Sequence, residues 1–399
     1  MSRPYPIVLV CDGGERAALA VVRSLGRAGY RVLVGGEKAG SLAAASRHSE
    51  GEIVLPPALT APDEFSEAVG DAVRSHDLAV VVPIAEPSLL ALCERRDLLG
   101  NAILPFPSAE ITRRVLDKEL VLTAALQLGI AVPAQVILHT RSDVPALLHS
   151  PPSMPVVLKP CRSIGEDAGG RHKLSVRHVA TCDQLADEIA ALPDAAFPLL
   201  VQQRIVGPGI GVFVLRWDGN TVLRAAHERI LEKPPSGGVS VLRRSMSPES
   251  GLVEQSEALL KWFEWQGVAM IEYKRDVVTG VAYLMEINGR FWGSLQLAVD
   301  AGADFPVHLV ARALHLTPPE IPPFRTGLTL RWEWGCVDHL LARLRRTPRS
   351  LSLPPDDPGF AASALKVLLP WRRGERWEVL RLNDPLPFVR ESVHWMSSR

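Results

Sequence analysis

Short apolar runs alternate with segments of helical periodicity over the first quarter of the chain. Runs of four or five apolar residues are typical of buried strands, and an apolar residue at every third or fourth position indicates a covering helix. This alternation predicts a parallel sheet covered on both faces. The expected strands are 7–10, 31–34, 52–55, 78–82 and 101–104, and the expected helices end near residue 28 and span about 63–75 and 87–98.

Asp12-Gly-Gly14 follows the first strand and raises the question of a dinucleotide site. The G-x-G-x-x-G spacing is absent, because Arg16, Ala17 and Ala18 stand where the third glycine is needed. We favour a parallel-sheet domain whose carboxyl-end loops form one wall of a site shared with another domain. A dinucleotide-dependent oxidoreductase is the weaker alternative.

The segment after residue 107 predicts a helix followed by a strand that carries a lysine. Ser108 can cap a helix that includes Lys118. Pro155–Pro160 is a short apolar strand whose only cation is Lys159, and a glycine-rich loop at 161–170 follows it. Such a loop can fold over phosphates while the lysine neutralises their charge. A solvent-exposed loop beside a structural lysine is the alternative.

The next segments predict a hinge and a hairpin. An apolar strand at 198–203 leaves through a Pro- and Gly-rich connector, which is typical of a hinge between subdomains. Strands at 211–217 and 222–228 should pair about the Asp218-Gly219 turn. The loop Pro234–Ser240 could bind an anion or a substrate, or could simply be a turn; it is flanked by Arg229, Arg243 and Arg244.

The stretch Val281–Ser294 has the most informative pattern in the chain. Because side chains alternate along a strand, two faces are expected. One face, directed into a core, holds Tyr283, Met285 and Ile287; the other holds Leu284, Glu286 and Asn288, with Arg290 just beyond the end. An acid, an amide and a guanidinium at the mouth of an apolar strand are costly to bury unless they bind something.

A second strand, Gly267–Tyr273, precedes this stretch, and the Thr279-Gly280 turn can join the two as a hairpin. The hairpin would bring Glu272 and Glu286 onto one face. Two carboxylates and an amide oxygen suit Mg²⁺, which takes the rest of its shell from water and nucleotide phosphates. The alternative is a pair of edge acids on a solvated sheet face.

Charge and cysteine content exclude several classes of protein. Lys and Arg number 44, as do Asp and Glu, and the resulting neutrality argues against nucleic-acid and membrane-surface partners. The five cysteines have no paired spacing and read as reduced thiols. The first residues form no apolar signal segment, and no apolar run approaches membrane-spanning length. These features lead us to expect a cytoplasmic protein.

The last eighty residues differ in character from the rest. Residues 328–334 alternate as a strand, Cys336–Arg346 has a helical pattern, and 347–358 is a Pro-, Ser- and Asp-rich loop. The end is rich in Trp and Arg, including Trp371, Arg372, Arg373 and Trp377. We expect a strand and helices packed on the core; an appendage that binds substrate or a partner is the alternative.

The order of these motifs resembles the ATP-grasp superfamily over roughly residues 5–315. The motifs are Asp117-Lys118, Val157–Pro160 with its glycine loop, Val201–Ile205, Glu272 and Glu286–Arg290. The chain looks closest to the ATP-grasp unit of carbamoyl-phosphate-synthase-like and carboxylate–amine ligases.

The resemblance implies a fold of the α/β and α+β class in four parts. Residues 1–107 would form the parallel-sheet domain that precedes the ATP-grasp unit. Residues 108–205 would form a lid subdomain with the phosphate loop, and 206–318 a catalytic, metal-binding subdomain. A small extension, 319–399, would follow.

The resemblance also implies residue roles. Lys118 and Lys159 would contact ATP phosphates, Lys159 also during the reaction, under a loop that contains Ile164 and Gly165. Adenine would meet the hinge at Gln203 and Ile205. Mg²⁺, with Mn²⁺ as an alternative ion, would be held by Glu272, Glu286 and Asn288, and Arg290 would contact the transferred phosphate or the acyl phosphate.

The sequence departs from the superfamily pattern at two places. Ile210 replaces the acid that usually meets the ribose. The glycine loop carries Glu166 and Asp167, which are awkward neighbours for phosphates and would point away or bind the amine.

The resemblance implies an ATP- and Mg²⁺-dependent ligase. ATP would activate a small-molecule carboxylate as an acyl phosphate, and an amine or ammonia would attack it. Positioning and charge neutralisation are the protein's main tasks in such chemistry. A nucleotide-binding regulatory or scaffold protein on the same fold, without ligation, is the principal alternative.

Overall fold

The computed structural model describes residues 6–398 except 168–169, 346, 348–350, 352, 354–356, 358 and 370–373. Within that part of the chain, the strands form a four-stranded parallel sheet, a four-stranded antiparallel sheet, a two-stranded hairpin and a seven-stranded sheet. No helix among the described residues is both long enough and apolar enough to cross a bilayer.

The parallel sheet forms the amino-terminal part, as the sequence predicted. Its elements are β1 (Ile7–Val10), α1 (Arg16–Arg27), β2 (Arg31–Gly36), β3 (Gly51–Val54), α2 (Pro62–His76), β4 (Leu78–Val82) and α3 (Glu86–Glu94), and the strand order is β3-β2-β1-β4. The expected strand at 101–104 is reduced to one bridge between Val80 and Ile103. Pro105 and Pro107 follow it and have no N–H to extend the pairing.

The helix expected from Ser108 is two helices, α4 (Ala109–Leu116) and α5 (Lys118–Gln127). Asp117 separates them: it has an extended backbone, and its carboxylate accepts hydrogen bonds from the N–H groups of Glu119 and Leu120. The cap therefore starts a new helix at Lys118 and fixes the direction of that side chain.

The second sheet lies in the segment expected to form the lid, a name kept for it below, and has a hydrophobic core of its own between residues 138 and 201. Its elements are β5 (Gln135–Leu138), α6 (Val144–His149), β6 (Val156–Pro160), β7 (Ile164–Asp167), β8 (Gly170–Lys173), β9 (Arg177–Val179), α7 (Cys182–Ala190) and β10 (Leu199–Gln203). The sheet order is β5-β10-β6-β9. The predicted glycine loop folds largely as the hairpin β7–β8. By contrast, α4 and α5 pack into the main core.

The large sheet has the order β15-β14-β11-β12-β13-β16-β17. It comprises β11 (Gly209–Trp217), β12 (Asn220–Lys233), β13 (Val239–Met246), α8 (Ser250–Trp262), β14 (Gly267–Arg275), β15 (Ala282–Asn288), α9 (Leu295–Asp300), α10 (Phe305–Ala313), β16 (Thr329–Arg331) and β17 (Glu375–Trp377). The predicted hairpin about Asp218-Gly219 is confirmed, and both turn residues have positive φ angles.

The carboxyl-terminal region contains α11 (Glu333–Arg345), α12 (Gly359–Leu368) and α13 (Leu386–Ser397). Helix α11 packs on β12 and β13 of this sheet, and α12 and α13 pack on α11. The strand expected at 328–334 ends at Arg331, because Glu333 already begins α11. Trp334 instead stacks on Trp395, with ring centroids 4.1 Å apart. Most of the expected 347–358 loop, and Trp371, Arg372 and Arg373, lie outside the described residues.

Buried ion pairs connect the end of the chain to its beginning. Arg23 in α1, only 3% exposed, donates to Asp384 Oδ2 at 2.7 Å and to the carbonyl of Val379 at 2.8 Å. Glu378 lies between Arg16 of α1 and Arg243 of β13 and pairs with both. The final segment thereby joins the parallel sheet to the large sheet.

Candidate functional site

A β-bulge decides which side chains of β15 face Lys118 and Lys159; the region that these side chains share is called the cleft below. Glu272 pairs with Glu286, but Tyr273 pairs with Leu284, so Met285 is an extra residue. Leu284 consequently lies in the core with no exposed surface, and Met285 Sδ lies 3.7 Å from Lys159 Nζ. The expectation that Met285 points into the core and Leu284 toward the site is wrong, because a bulge shifts the alternation by one residue.

The expected hairpin between β14 and β15 is present and aligns three polar side chains at its end. Asn288 Nδ2 donates to Glu286 Oε1 at 3.2 Å, and Arg290 Nη2 donates to Asn288 Oδ1 at 3.4 Å. Arg290 Nη1 is anchored on the carbonyl of Phe291 at 2.9 Å. Carboxylate and amide oxygens are thus lined up beside Glu272, with a guanidinium at the end of the row.

Cations contact both carboxylates. Lys118 Nζ lies 3.6 Å from Glu286 Oε2 and 3.4 Å from Ser163 Oγ, and Arg229 forms an ion pair with Glu272. Burial raises the pKa of Glu286, but the nearby ammonium groups, first that of Lys118, outweigh burial and hold this pKa below its ordinary value. The Glu286 carboxylate is therefore ionised at neutral pH.

Lys159 extends from β6 of the lid into the same cleft. Its Nζ donates to Gln202 Oε1 at 2.9 Å, and Gln202 Nε2 donates to Gln135 Oε1 at 2.9 Å. Burial lowers the pKa of Lys159 to about 8, although the Glu286 carboxylate acts against burial. An anionic ligand beside Lys159 would favour its charged form and so oppose the effect of burial.

The lid hairpin accommodates its own acids. Glu166 pairs with Arg171, and Asp167 lies 3.6 Å from His172 Nε2, so both acids have cationic or polar partners on β8. A methyl group added at Gly165 would lie 2.9 Å from Ala195 Cβ, so the glycine allows close packing there. Ile164 begins β7 beside it.

The predicted adenine contacts lie at the edge of the lid. The side chain of Gln203 is exposed, and its N–H donates to the carbonyl of Ala134 at 2.8 Å. Ile205 is buried. Strand alternation directs Gln202, not Gln203, toward Lys159. Contact of Gln203 and Ile205 with adenine stays a prediction.

Two of the three arginines around the Pro234–Ser240 loop lie away from the cleft. Arg243 is fully buried against Glu378, and Arg244 pairs with Glu228 at the surface. Only Arg229 reaches the carboxylates. Ile210, expected in place of a ribose-binding acid, is buried within β11.

Glu86, the first residue of α3, was not predicted from the sequence as a residue of the site. Burial raises its pKa, and the charges of Arg290 and Lys118 act against burial. Its position after β4 was the available signal, because loops at the carboxyl ends of parallel strands commonly line ligand sites. The amino-terminal domain thus contributes an acid to the region around Arg290.

Comparison with protein families finds a match to part of the chain. Residues 196–336 match the family described as ATP-grasp in the biosynthetic pathway with Ter operon. The chain has an ATP-grasp fold. The fold predicted from the sequence, and the resemblance to the ATP-grasp superfamily, are therefore confirmed. Comparison with curated proteins finds no match.

Solved structures share this ATP-grasp fold at low sequence identity. L-amino acid ligase from Bacillus licheniformis superposes with a TM-score of 0.62 at 18% identity, over 80% of this chain and 76% of the ligase. The biotin carboxylase domain of Hydrogenobacter thermophilus 2-oxoglutarate carboxylase, a complex with MgADP, gives 0.61 at 15%, over 82% and 74%. An ADP complex of N5-carboxyaminoimidazole ribonucleotide synthetase gives 0.61 at 18%, over 86% and 88%.

The oxygen-bearing side chains of this candidate site fit a hard cation. In the described part of the chain, no three His, Cys, Asp or Glu side chains converge as a metal site. Glu272 and Glu286 supply two carboxylates, and Asn288 supplies an amide oxygen. One or two protein carboxylates, completed by phosphates and water, are the usual complement of Mg²⁺.

Proposed function

We propose that this protein is an ATP- and Mg²⁺-dependent ligase that joins a carboxylate to an amine or to ammonia. The observation that carries the proposal is the pairing of Glu272 and Glu286 on neighbouring strands, with Lys118 and Lys159 over the same cleft. Acids that hold a divalent ion, beside ammonium groups that hold phosphates, are the parts that phosphoryl transfer requires.

In this proposal Glu272, Glu286 and Asn288 hold Mg²⁺, or Mn²⁺ in its place, and Lys118 and Lys159 bind the phosphates. When bound, the metal would supply positive charge that partly neutralises the phosphates. Without nucleotide, Lys118 pairs with Glu286 and Arg229 pairs with Glu272, so the charge of both carboxylates is balanced. Binding of nucleotide and metal would let Lys118 exchange Glu286 for a phosphate oxygen.

The proposed reaction has two displacements. A carboxylate oxygen of the first substrate attacks the γ-phosphorus of ATP, the P–O bond to ADP breaks, and an acyl phosphate forms. The amine nitrogen then attacks the acyl carbon, the C–O bond to phosphate breaks, and the departing phosphate takes up the proton that the nitrogen loses. In this proposal Arg290 binds the transferred phosphate or the acyl phosphate; its hydrogen bond to Asn288 Oδ1, beside Glu286, supports that role.

Two contacts argue against the dinucleotide alternative. Asp12 Oδ2 accepts hydrogen bonds from the N–H groups of Ile84 and Ala85 and from Ser88 Oγ, so it ties two loops together. A methyl group at Gly13 would lie 2.4 Å from Ser41 Oγ, so this glycine serves packing. Asp12-Gly-Gly14 therefore has a structural role that needs no cofactor.

The test is a screen for ADP release in the presence of Mg²⁺. Amino acids come first as carboxylate and amine, since the structurally similar proteins include an L-amino acid ligase; other small carboxylates, with amines or ammonia, follow. ADP release that depends on both substrates, with an amide product seen by mass spectrometry, supports ligation. Nucleotide binding without substrate-dependent ADP release would favour the regulatory or scaffold alternative.

A further inference from the structure

Gln202 lies at the centre of a three-residue hydrogen-bonded row on one face of the lid sheet. It is opposite Gln135 in the register of β10 and β5, and Lys159 is opposite Leu200, two residues from Gln202. Because side chains at positions i and i+2 of a strand share a face, Lys159, Gln202 and Gln135 lie side by side.

The hydrogen-bonding capacity of the three groups fixes their order. An ammonium only donates, so Gln202 must present its Oε1 to Lys159 Nζ, at 2.9 Å. Its amide nitrogen then points to Gln135, whose Oε1 accepts at 2.9 Å. Gln202 is 1% exposed, so water cannot readily replace either bond.

The partner of the ammonium is neutral, and this has a consequence for phosphate binding. Lys118 forms an ion pair with Glu286, whereas Lys159 is held by an amide oxygen and the sulfur of Met285. An amide fixes a lysine without cancelling its charge; a carboxylate at the same place would do both. The charge of Lys159 therefore remains available to an anion.

We propose that Gln202, itself oriented by Gln135, is a positioning residue that holds the ammonium of Lys159 toward the nucleotide phosphates without neutralising it. This inference rests on the proposed function. Burial is the largest cause that lowers the pKa of Lys159, and this direction agrees with a hydrogen-bond partner that does not carry a countercharge. The charged groups around Lys159 are Glu286 and Glu272, which favour its protonated form, and Lys118 and Lys274, which disfavour it.

The first measurement is the affinity for a non-hydrolysable ATP analogue with Mg²⁺. Gln202→Leu removes the acceptor and should raise Kd about tenfold. Gln135→Leu frees the amide of Gln202 to rotate and should raise Kd about threefold. Because Gln135 is only half-buried, this variant tests the same row of hydrogen bonds if Gln202→Leu fails to fold. Gln202→Glu keeps the acceptor but neutralises the lysine, and should also weaken binding about tenfold. Gln127→Leu and Gln127→Glu, at the exposed end of α5, are the matched controls.

A double-mutant cycle separates positioning from a general structural effect. In a Lys159→Ala background, Gln202→Leu should have no further effect on Kd, because the side chain it positions is gone. Additive effects of the two changes would overturn the proposal. Tight analogue binding by Gln202→Glu would overturn the part that concerns charge.

A second readout does not depend on nucleotide. The chain has only eight lysines, so the Cε signal of Lys159 can be assigned in lysine-labelled protein by NMR. Gln202→Leu should shift this signal in the nucleotide-free protein, and Gln127→Leu should not. An unchanged signal would overturn the positioning role. Failure of the wild-type protein to bind any Mg²⁺–nucleotide would instead count against the proposed function.

Discussion

Lys118 Nζ lies 3.6 Å from Glu286 Oε2, so a lysine that begins a helix balances a carboxylate that lies 168 residues later in the chain, on a strand of the large sheet. The Asp117 cap directs this lysine by starting α5 at residue 118. The pair is part of a resting arrangement in which protein cations balance the carboxylates of the site.

Removal of the Lys118 ammonium should weaken nucleotide binding. We expect Lys118→Ala to raise Kd for Mg²⁺–ATP analogue by about tenfold or more, because a phosphate contact is lost. Calorimetry measures the change. Lys261→Ala, at an exposed position on α8, is the control. Equal affinities for the wild-type protein and Lys118→Ala would remove Lys118 from the phosphate site.

Replacement of Glu286 by Gln should abolish most Mg²⁺-dependent turnover while the fold persists. We expect a loss of about 100-fold, roughly 2.7 kcal/mol of barrier, because the amide cannot replace an anionic metal ligand. Steady-state ADP release measures it, with circular dichroism as a check of folding. Glu228→Gln, which affects only a surface pair with Arg244, should leave turnover near normal. Near-normal turnover in Glu286→Gln would contradict the metal assignment.

Nucleotide should order the lid between residues 161 and 172. The hydrogen-bond partner of Lys159, Gln202, is neutral, so the phosphates would supply the negative charge beside this ammonium. The β7–β8 hairpin would then close over the phosphates. Hydrogen exchange in this segment should slow when ATP analogue and Mg²⁺ are added, and Lys159→Ala should remove most of the protection. Identical exchange with and without nucleotide would argue against a phosphate lid.

The geometry of the Arg290 guanidinium should matter beyond its charge. A planar guanidinium can form two parallel hydrogen bonds with phosphate or carboxylate, and an ammonium cannot. We expect Arg290→Lys to lower turnover at least about tenfold, roughly 1.4 kcal/mol of barrier, with ATP affinity little changed. Arg244→Lys is the control. A joint loss of ATP binding and turnover would move Arg290 into the nucleotide pocket.

Glu378 should be a major contributor to stability. Gln at this position would leave Arg16 and Arg243 without a countercharge, and we expect roughly 3–5 kcal/mol of destabilisation in urea unfolding. Asp71→Asn, in an exposed pair with Arg74, should change stability by less than about 1 kcal/mol. A similarly small loss for Glu378→Gln would contradict the expectation.

The same carboxylate predicts the sign of a pH effect. Burial raises the pKa of Glu378, but Arg16 and Arg243 outweigh burial and hold it below its ordinary value. The ion pairs therefore stabilise fully above the unfolded pKa of about 4.3. Their contribution is lost as the pH falls through the lower folded value. Unfolding free energies of wild type and Glu378→Gln should converge in acid.

The spacing of apolar residues predicted most helices and strands of the fold. The polar character of Glu272, Glu286 and Asn288 predicted that these side chains lie near one another. The hairpin that aligns Glu272 with Glu286 followed from alternation and a turn signal. The shift at Met285 did not, because a bulge leaves the composition of a strand unchanged. Asp117 is a residue type that often caps a helix, so the break between α4 and α5 had a signal in the sequence. The helical periodicity on both sides of Asp117 nevertheless predicted one continuous helix.

Long-range contacts account for what the sequence did not reveal. Glu86 lies at the end of the parallel sheet but acts on Arg290, and no spacing rule connects positions about two hundred residues apart. The distinct core of the lid begins only after α5, so helices that adjoin it in sequence belong to the main body. Gln202 and Gln203 differ only in which face of β10 each occupies.

The pairing of Arg23 with Asp384 has a consequence for synthesis on the ribosome. The two residues are 361 positions apart, so the guanidinium of Arg23 in α1 cannot meet the carboxylate of Asp384 until that residue has been translated. A chain that ends at residue 373 should show faster hydrogen exchange in α1 than the full protein. Equal exchange would contradict this. The helix α1 is therefore expected to reach its final state only after the segment that contains Asp384 has been synthesised.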